Sequence, residues 1–145
     1  MNPLFNFDKS YELFVKNNWD SMYVAVDLHD TIIYPTDTVR DVPFLFYPYA
    51  METLQLLSKL PFIKLILFTG SNKEHRTEFT DMCVKHGIHF RYINENPECE
   101  KSRPTADFTV KFYYNVLLDD RGGFEGHTDW KVLYNWITKT WAEQL

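Results

Sequence analysis

Residues 23–31 read Tyr23-Val-Ala-Val-Asp27-Leu-His-Asp-Thr31, an apolar run that ends in two carboxylates, a histidine and a threonine. The apolar part, residues 23–26, is short and rich in β-branched side chains, which is typical of a buried β-strand. Polar groups that directly follow such a strand lie at its carboxyl end, where parallel α/β sheets bind their ligands. Asp27 is therefore a candidate nucleophile, general base or metal ligand. The alternative is an ordinary polar turn after a strand.

Two further apolar runs end in polar residues in the same way. Residues 64–72 read Lys64-Leu-Ile-Leu-Phe-Thr69-Gly-Ser-Asn72, so a hydroxyl, a glycine and small polar residues follow a second strand. Residues 111–121 read Lys111-Phe-Tyr-Tyr-Asn-Val-Leu-Leu-Asp119-Asp120-Arg121, so a lysine precedes a third strand and an acidic pair follows it. Together the three strand ends offer a nucleophile, a phosphate-binding hydroxyl, a cation and metal-binding carboxylates.

Helical patterns separate these strands, so strands and helices alternate along the chain. We predict helices at about residues 8–18, 48–59, 72–85 and 129–143, and strands at 23–26, 64–68, 89–93 and 114–118. Pro48 suits the first turn of a helix, Asn72 suits an N-cap and Gly87 suits a C-cap. The polar residues 94–110 are predicted to form a loop on the side of the site. This order predicts one domain over residues 1–145, a three-layer α/β/α sandwich with a mainly parallel, Rossmann-like sheet.

The three strand ends resemble the motifs of the haloacid dehalogenase (HAD-like) superfamily of phosphohydrolases. Residues 27–31 match its first motif, Thr69 the second, Lys111 the third and the pair Asp119-Asp120 the fourth. The resemblance runs from about residue 23 to residue 124. It departs from the family pattern at position 29, where a histidine replaces the usual second aspartate, and at position 30, where glycine is common.

The resemblance implies a Mg²⁺-dependent phosphomonoester hydrolase. Asp27 would attack phosphorus and form an aspartyl-phosphate, which splits hydrolysis into two displacements. Thr69 would bind a phosphoryl oxygen with its hydroxyl, helped by the amides of Gly70 and Ser71 at a helix entry. Lys111 would balance the negative charge, and Lys101 in the polar loop is its rival for that role.

The resemblance also implies the ligands of the Mg²⁺ ion. They would be Asp27, the main-chain carbonyl of His29 and Asp119, because Mg²⁺ prefers oxygen ligands in octahedral geometry. Asp120 is the other candidate ligand of the acidic pair. Because adjacent side chains leaving a strand diverge, we expect Asp120 to contact the metal ligands and not the ion itself. The alternative role for Asp120 is an ion pair with Arg121.

His29 decides how fast such an enzyme would be. The family's aspartate protonates the leaving oxygen and then deprotonates water, and a histidine with an ordinary pKa of about 6.5 can do both. A nearby divalent cation disfavours the imidazolium, which weakens the first step. The alternatives are that His29 only orders its loop or that Asp30 transfers the proton, although its side chain should point the other way. The competing function is therefore a catalytically weak or inactive phosphate-binding or regulatory protein.

Composition limits the partners of the chain. The chain has 145 residues and a formal net charge of −5, which argues against general nucleic-acid binding, where a basic surface is expected. A nucleotide, a sugar phosphate or another phosphorylated small molecule is the favoured substrate, and a nucleic acid is not favoured. The sequence shows no run of the roughly 20 apolar residues that span a bilayer and no export signal, so we expect a cytoplasmic protein.

The gaps between the motifs are too short for a folded cap domain over the site. We therefore expect an open site, rimmed by residues 33–47 and 94–110, or closure by a neighbouring subunit of a homo-oligomer. Tyr34 and Phe44 would stack on a base or sugar, or else pack in the core.

The spacing of Cys83, His86 and His89 is suggestive of zinc, but a fourth ligand is missing and Gly87 should splay the three apart. Cys83 and Cys99 are expected to be free thiols, because they form no CxxC pattern.

Overall fold

A computed structural model describes residues 3–35, 44–99, 108 and 111–145 of the chain, with residues 3–5 as backbone alone. Residues 36–43 of the predicted rim therefore lie outside the described residues. The same holds for residues 100–107, 109 and 110 of the predicted polar loop, which include Lys101.

Among the described residues, four parallel strands form the sheet. They are β1 (Met22–Asp27), β2 (Ile63–Phe68), β3 (Phe90–Ile93) and β4 (Val116–Leu118), in the order β3-β2-β1-β4. The chain runs from β1 outward to β3 and then crosses back, so that β4 pairs with the opposite side of β1. Such a reversal opens a crevice at the carboxyl ends of the strands on either side of it, here β1 and β4. The predicted α/β class with a parallel, Rossmann-like sheet is confirmed.

Four helices in the described part of the chain cover one face of this sheet. They are α1 (Pro3–Lys16), α2 (Ala50–Lys59), α3 (Lys73–Lys85) and α4 (Gly126–Thr140). Alternate strand residues point to the two faces. Those on the helical face form the main core with apolar side chains from all four helices, namely Phe7, Leu54, Phe79 and Trp130. None of the described helices is both long and apolar enough to cross a bilayer.

The opposite face of the sheet carries a smaller apolar cluster. Its buried members are Tyr23, Ala25 and Ile66. Residues from β3 and from the segment between β3 and β4 pack against them, and the described ones include Tyr92, Phe112 and Tyr113. Aromatic side chains therefore cover this face, and the second helical layer of the predicted α/β/α sandwich is not seen among the described residues.

The element boundaries differ from the predicted ones where a local backbone feature decides them. The first helix starts at Pro3 rather than near residue 8, which suits the preference of proline for the first helical position. The second begins two residues after Pro48, because Tyr49 has a left-handed φ of 67°. The last starts at Gly126 rather than near 129, since the Glu125 side chain accepts a hydrogen bond from the backbone N–H of residue 127.

Candidate active site

The turn after β1 fixes Asp27 at the mouth of the crevice. The amides of Ile32 and Ile33 both donate to the carbonyl of Leu28, and these three apolar side chains are fully buried. Asp30 lies at the tip with a φ of 63°, a left-handed conformation that aspartate tolerates better than most residues. The Asp30 side chain is exposed, and a glycine at this position would adopt the same backbone conformation freely.

Three carboxylates converge at the ends of β1 and β4. Asp27, Asp119 and Asp120 each place a carboxylate oxygen within 4.8 Å of the others. The expected divergence of Asp119 and Asp120 is wrong, because strand geometry stops at Leu118 and Asp120 opens a short 3₁₀ helix, Asp120–Gly122. The expected alternative, a pairing with Arg121, is not among the contacts of the described residues, where the Asp120 carboxylate lies at hydrogen-bonding distance from a threonine.

Thr31 is that threonine, and it ties the cluster together. Its hydroxyl is fully buried, accepts the Asp120 N–H at 3.0 Å, and lies 3.2 Å from Asp27 Oδ2 and 3.4 Å from Asp120 Oδ1. The Thr31 carbonyl accepts from the indole N–H of Trp130 at 2.7 Å. Sequence analysis placed Thr31 in the first motif without a role, and the structure makes it the link between β1, β4 and α4.

The crowding of these carboxylates changes their acidity. Burial, together with the charge of Asp119 and contacts with Asp120, raises the pKa of Asp27 from 3.8 to about 7, against a smaller opposite effect of Thr31. Burial also raises the pKa of Asp119. Without a cation, the cluster therefore retains a proton near neutral pH.

The donor set fits a Mg²⁺ ion in charge, chemistry and size. All three side chains offer hard oxygen atoms, and a cation would offset the burial and mutual repulsion that raise the pKa values of Asp27 and Asp119. With Mg²⁺–oxygen distances of about 2.0–2.1 Å, ligands on opposite sides of one ion lie about 4.2 Å apart, close to the span of this cluster.

The predicted phosphate-binding residues follow β2 directly beside Asp27. Asp27 pairs in register with Phe68, so Thr69 leaves the neighbouring strand one residue later. The Thr69 hydroxyl accepts the Ser71 N–H and donates to Ser71 Oγ, both at 3.1 Å. The Ser71 amide is thus occupied within the segment. Apart from its two chain neighbours, no described residue has an atom within 4 Å of the position that a Cβ at Gly70 would take.

Asn94, which follows β3, holds Thr69 in place. Its side-chain oxygen accepts the Thr69 N–H at 2.8 Å and its amide donates to the Thr69 carbonyl at 2.7 Å. Sequence analysis did not identify this residue. The available signal was a polar side chain immediately after an apolar strand.

His29 reaches from the β1 turn to α3. Its Nδ1 lies 3.4 Å from Ser71 Oγ, and its Nε2 lies 3.1 Å from Nε2 of His75, on the first turn of α3. Burial and the neighbouring His75 lower the pKa of His29. Sequence analysis did not identify His75, since no spacing pattern links it to His29.

Lys111 lies before β4, in a segment that reaches the carboxyl end of the sheet. The Phe112 ring lies 5.7 Å from that of Phe68, the last residue of β2. The Lys111 ammonium lies 5.9 Å from the centroid of the Tyr114 ring. Among the described residues Lys111 forms no ion pair with Asp27, so its charge-balancing role stays a prediction.

The aromatic side chains of the rim pack within the protein. Tyr34 stacks on Tyr47 with ring centroids 4.1 Å apart, and Phe44 lies 5.4 Å from Phe79. Both join the main core, so of the two predicted uses of Tyr34 and Phe44, core packing is the one observed.

The residues of the suggested zinc site lie in different surroundings. Cys83 is a free thiol on the buried face of α3, whereas His86 and His89 are exposed. Cys99, the other described cysteine, is also a free thiol.

Comparison with known proteins supports the fold. No protein-family model matches the chain, and no curated protein matches it. The chain is similar to the solved structure of a conserved protein from Bacteroides thetaiotaomicron, with 27% sequence identity and a TM-score of 0.55. The match covers 83% of this chain and 92% of that chain, so the similarity extends over most of both.

Proposed function

We propose that this chain is a Mg²⁺-dependent phosphomonoester hydrolase of the HAD-like type that works through an aspartyl-phosphate. The observation that carries the proposal is the convergence of Asp27, Asp119 and Asp120 at the carboxyl ends of β1 and β4. Thr69 and Ser71 follow the neighbouring strand β2, whose last residue pairs with Asp27. A nucleophile, an acidic ligand set and phosphate-binding hydroxyls therefore share one edge of the sheet.

The reaction begins at the Asp27 carboxylate. One of its oxygens forms a bond to phosphorus while the bond to the leaving oxygen breaks, and that oxygen takes a proton from an acid. Water then attacks the aspartyl-phosphate, gives up a proton to a base, and releases phosphate and free Asp27. Asp27, Asp119 and Asp120, together with the predicted main-chain carbonyl of His29, would hold a Mg²⁺ ion, which would neutralise charge between the carboxylates and the phosphoryl group.

His29 is the acid and then the base in this proposal. Its Nδ1 faces Ser71 and thus the phosphate segment, whereas its Nε2 faces away toward α3. As imidazolium it gives the Nδ1 proton to the leaving oxygen, and the neutral ring then takes a proton from the attacking water. A substrate phosphoryl group would take the place of the Ser71 hydroxyl at Nδ1.

One observation favours the weaker alternative, a phosphate-binding protein with little turnover. Both ring nitrogens of His29 already have neighbours at hydrogen-bonding distance, Ser71 on one side and His75 on the other. A ring that did not release Ser71 could not reach a leaving oxygen. Loss of general acid–base catalysis typically slows an enzyme by about 10²–10⁴-fold without preventing binding.

A chromogenic ester assay tests the proposal. We expect p-nitrophenyl phosphate to be hydrolysed with added Mg²⁺ and not after chelation. Asp27→Asn should abolish turnover, because an amide is not a usable nucleophile. Asp81→Asn, an exposed carboxylate on α3, is the matched control and should retain full activity. Turnover by Asp27→Asn at the wild-type rate would refute the assignment of Asp27 as the nucleophile. If the wild type binds phosphate in a calorimeter but hydrolyses no ester, the phosphate-binding alternative is supported.

A further inference from the structure

The His29–His75 contact is a hydrogen bond made end to end. The two Nε2 atoms lie 3.1 Å apart, the ring planes differ by 10° and the ring centroids lie 5.1 Å apart. The distance between the two Nε2 atoms is shorter than the distance between the two ring centroids by about the width of one imidazole ring. The rings therefore meet edge to edge and not face to face. One Nε2 must therefore carry a hydrogen and donate it to the lone pair of the other.

The neighbouring hydroxyls set the direction of that hydrogen bond. Thr69 accepts the Ser71 N–H and donates its own hydrogen to Ser71 Oγ. Ser71 then has its hydroxyl hydrogen left to donate, and Nδ1 of His29 lies 3.4 Å away to accept it. A neutral histidine whose Nδ1 accepts carries its hydrogen on Nε2. The hydrogen bonds thus run from Thr69 through Ser71 and His29 to His75.

We propose that His75 is a positioning residue for His29, which it holds in the Nε2–H tautomer with Nδ1 directed at the phosphate segment of residues 69–71. The inference rests on the proposed function and assigns proton transfer to one atom, Nδ1 of His29. A second group that orients a catalytic imidazole through its other nitrogen is a recurrent arrangement.

The backbone that carries His75 is itself fixed. Asn72 caps α3 by accepting the His75 N–H at 2.9 Å, so the first turn of the helix has a defined start. The Phe44 ring also lies 5.6 Å from the His75 ring. The acceptor nitrogen is therefore presented to His29 by a capped helix.

Nuclear magnetic resonance tests the tautomer without relying on activity. Two-bond ¹H–¹⁵N correlations of the full chain at about pH 8, well above the ordinary histidine pKa of about 6.5, should give the Nε2–H pattern for His29. His75→Gln keeps an acceptor oxygen and should preserve that pattern, whereas His75→Leu should lose it. The control His86→Leu alters an exposed histidine at the end of the same helix and should change nothing. An unchanged His29 signal in His75→Leu would overturn the proposal.

A double-mutant cycle separates positioning from a merely structural contact. His75→Leu should lower kcat/KM for glycerol phosphate, a poor leaving group, by about 10–100-fold and for p-nitrophenyl phosphate much less. In the His29→Ala background His75→Leu should cause no further loss, since it acts through His29. Equal losses in both backgrounds would overturn the proposal. A wild-type chain that hydrolyses neither ester would refute the proposed function, and the tautomer measurement would then decide the role of His75 by itself.

Discussion

Asp27 is a nucleophile candidate whose charge depends on its neighbours. With no cation bound, burial and the adjacent carboxylates raise its pKa to about 7, so protons and Mg²⁺ compete for the same oxygens. We predict that the apparent Mg²⁺ affinity strengthens about tenfold per pH unit up to about pH 7 and levels off above it. Titration calorimetry at several pH values measures this, and Asp27→Asn should lose the pH dependence. If the Mg²⁺ affinity of the wild type stays unchanged between about pH 5 and 8, the electrostatic argument is wrong.

The ionised Asp27 carboxylate should also lower the free energy of unfolding of the metal-free protein. Because the folded chain binds the Asp27 proton more tightly than the unfolded chain does, folding is penalised as pH rises from 3.8 to about 7. Asparagine cannot ionise, so we predict that Asp27→Asn is more stable than wild type at about pH 8 with a chelator present. The gain should be on the order of 1–2 kcal/mol, allowing for solvent screening of this partly buried group.

Urea denaturation at two pH values provides the check. The gain should shrink at about pH 5, where Asp27 of the folded wild type is mostly protonated. Asp81→Asn, which alters an exposed carboxylate, should be neutral at both. A less stable Asp27→Asn at about pH 8 would show that the carboxylates do not repel one another in the metal-free protein.

Single residues also show where sequence reasoning succeeds. Asp27, Thr69 and Asp119 were located because each directly follows an apolar strand, and parallel strands bring their carboxyl ends together. The convergence of Asp120 was not predictable in this way, because it depends on a 3₁₀ turn that begins after the strand. His75 was missed because its relation to position 29 exists only after α3 has docked.

At the scale of secondary structure elements, Asn94 joins the ends of β2 and β3. Its side chain makes two hydrogen bonds to the backbone of Thr69, and its own φ is 56°. We predict that Asn94→Gly, which keeps the left-handed backbone but removes both bonds, lowers the free energy of unfolding by about 1–3 kcal/mol. It should also raise KM for a phosphate ester, because Thr69 loses its support.

Chemical denaturation and steady-state kinetics measure the two effects of Asn94→Gly. Asn18→Gly is the matched reference for them, since Asn18 is exposed, has a left-handed φ of 52° and precedes β1, at the end of the strand opposite to the site. An unchanged KM together with a lower stability would show that Asn94 supports the fold but not the phosphate segment.

The elements differ in how well the sequence predicts them. The helix after Asn72 was predicted closely because it has an N-cap and a closing Gly87 with a φ of 75°, both local signals. The start of α4 was missed by three residues, because its cap uses Glu125 and its buried Asp129 accepts the Glu125 N–H at 2.7 Å. Glutamate is not a typical N-cap residue, so a search of the sequence for N-cap patterns does not find this helix start.

At the scale of the whole molecule, strand order decides where the chemistry is located. Alternating strands and helices predict a parallel α/β sheet, but they do not state which strands flank β1. The observed order β3-β2-β1-β4 places the acidic pair after β4 on one side of Asp27 and the hydroxyls after β2 on the other. The candidate site is thus a consequence of the crossover after β3, which no single motif reveals.

The last prediction concerns substrate size. Only residues 69–72 connect β2 to α3, and the described parts of the other connections near the site hold short turns and no separate domain. A site without a cover excludes few substrates by size. We therefore expect the kcat/KM for a nucleoside monophosphate to be at least as high as that for p-nitrophenyl phosphate. A screen of phosphate esters of increasing size, with the mass in solution measured in parallel, tests this. A monomer that strongly prefers the smallest esters would contradict the open site, whereas the same preference in a dimer would indicate that a neighbouring subunit closes it.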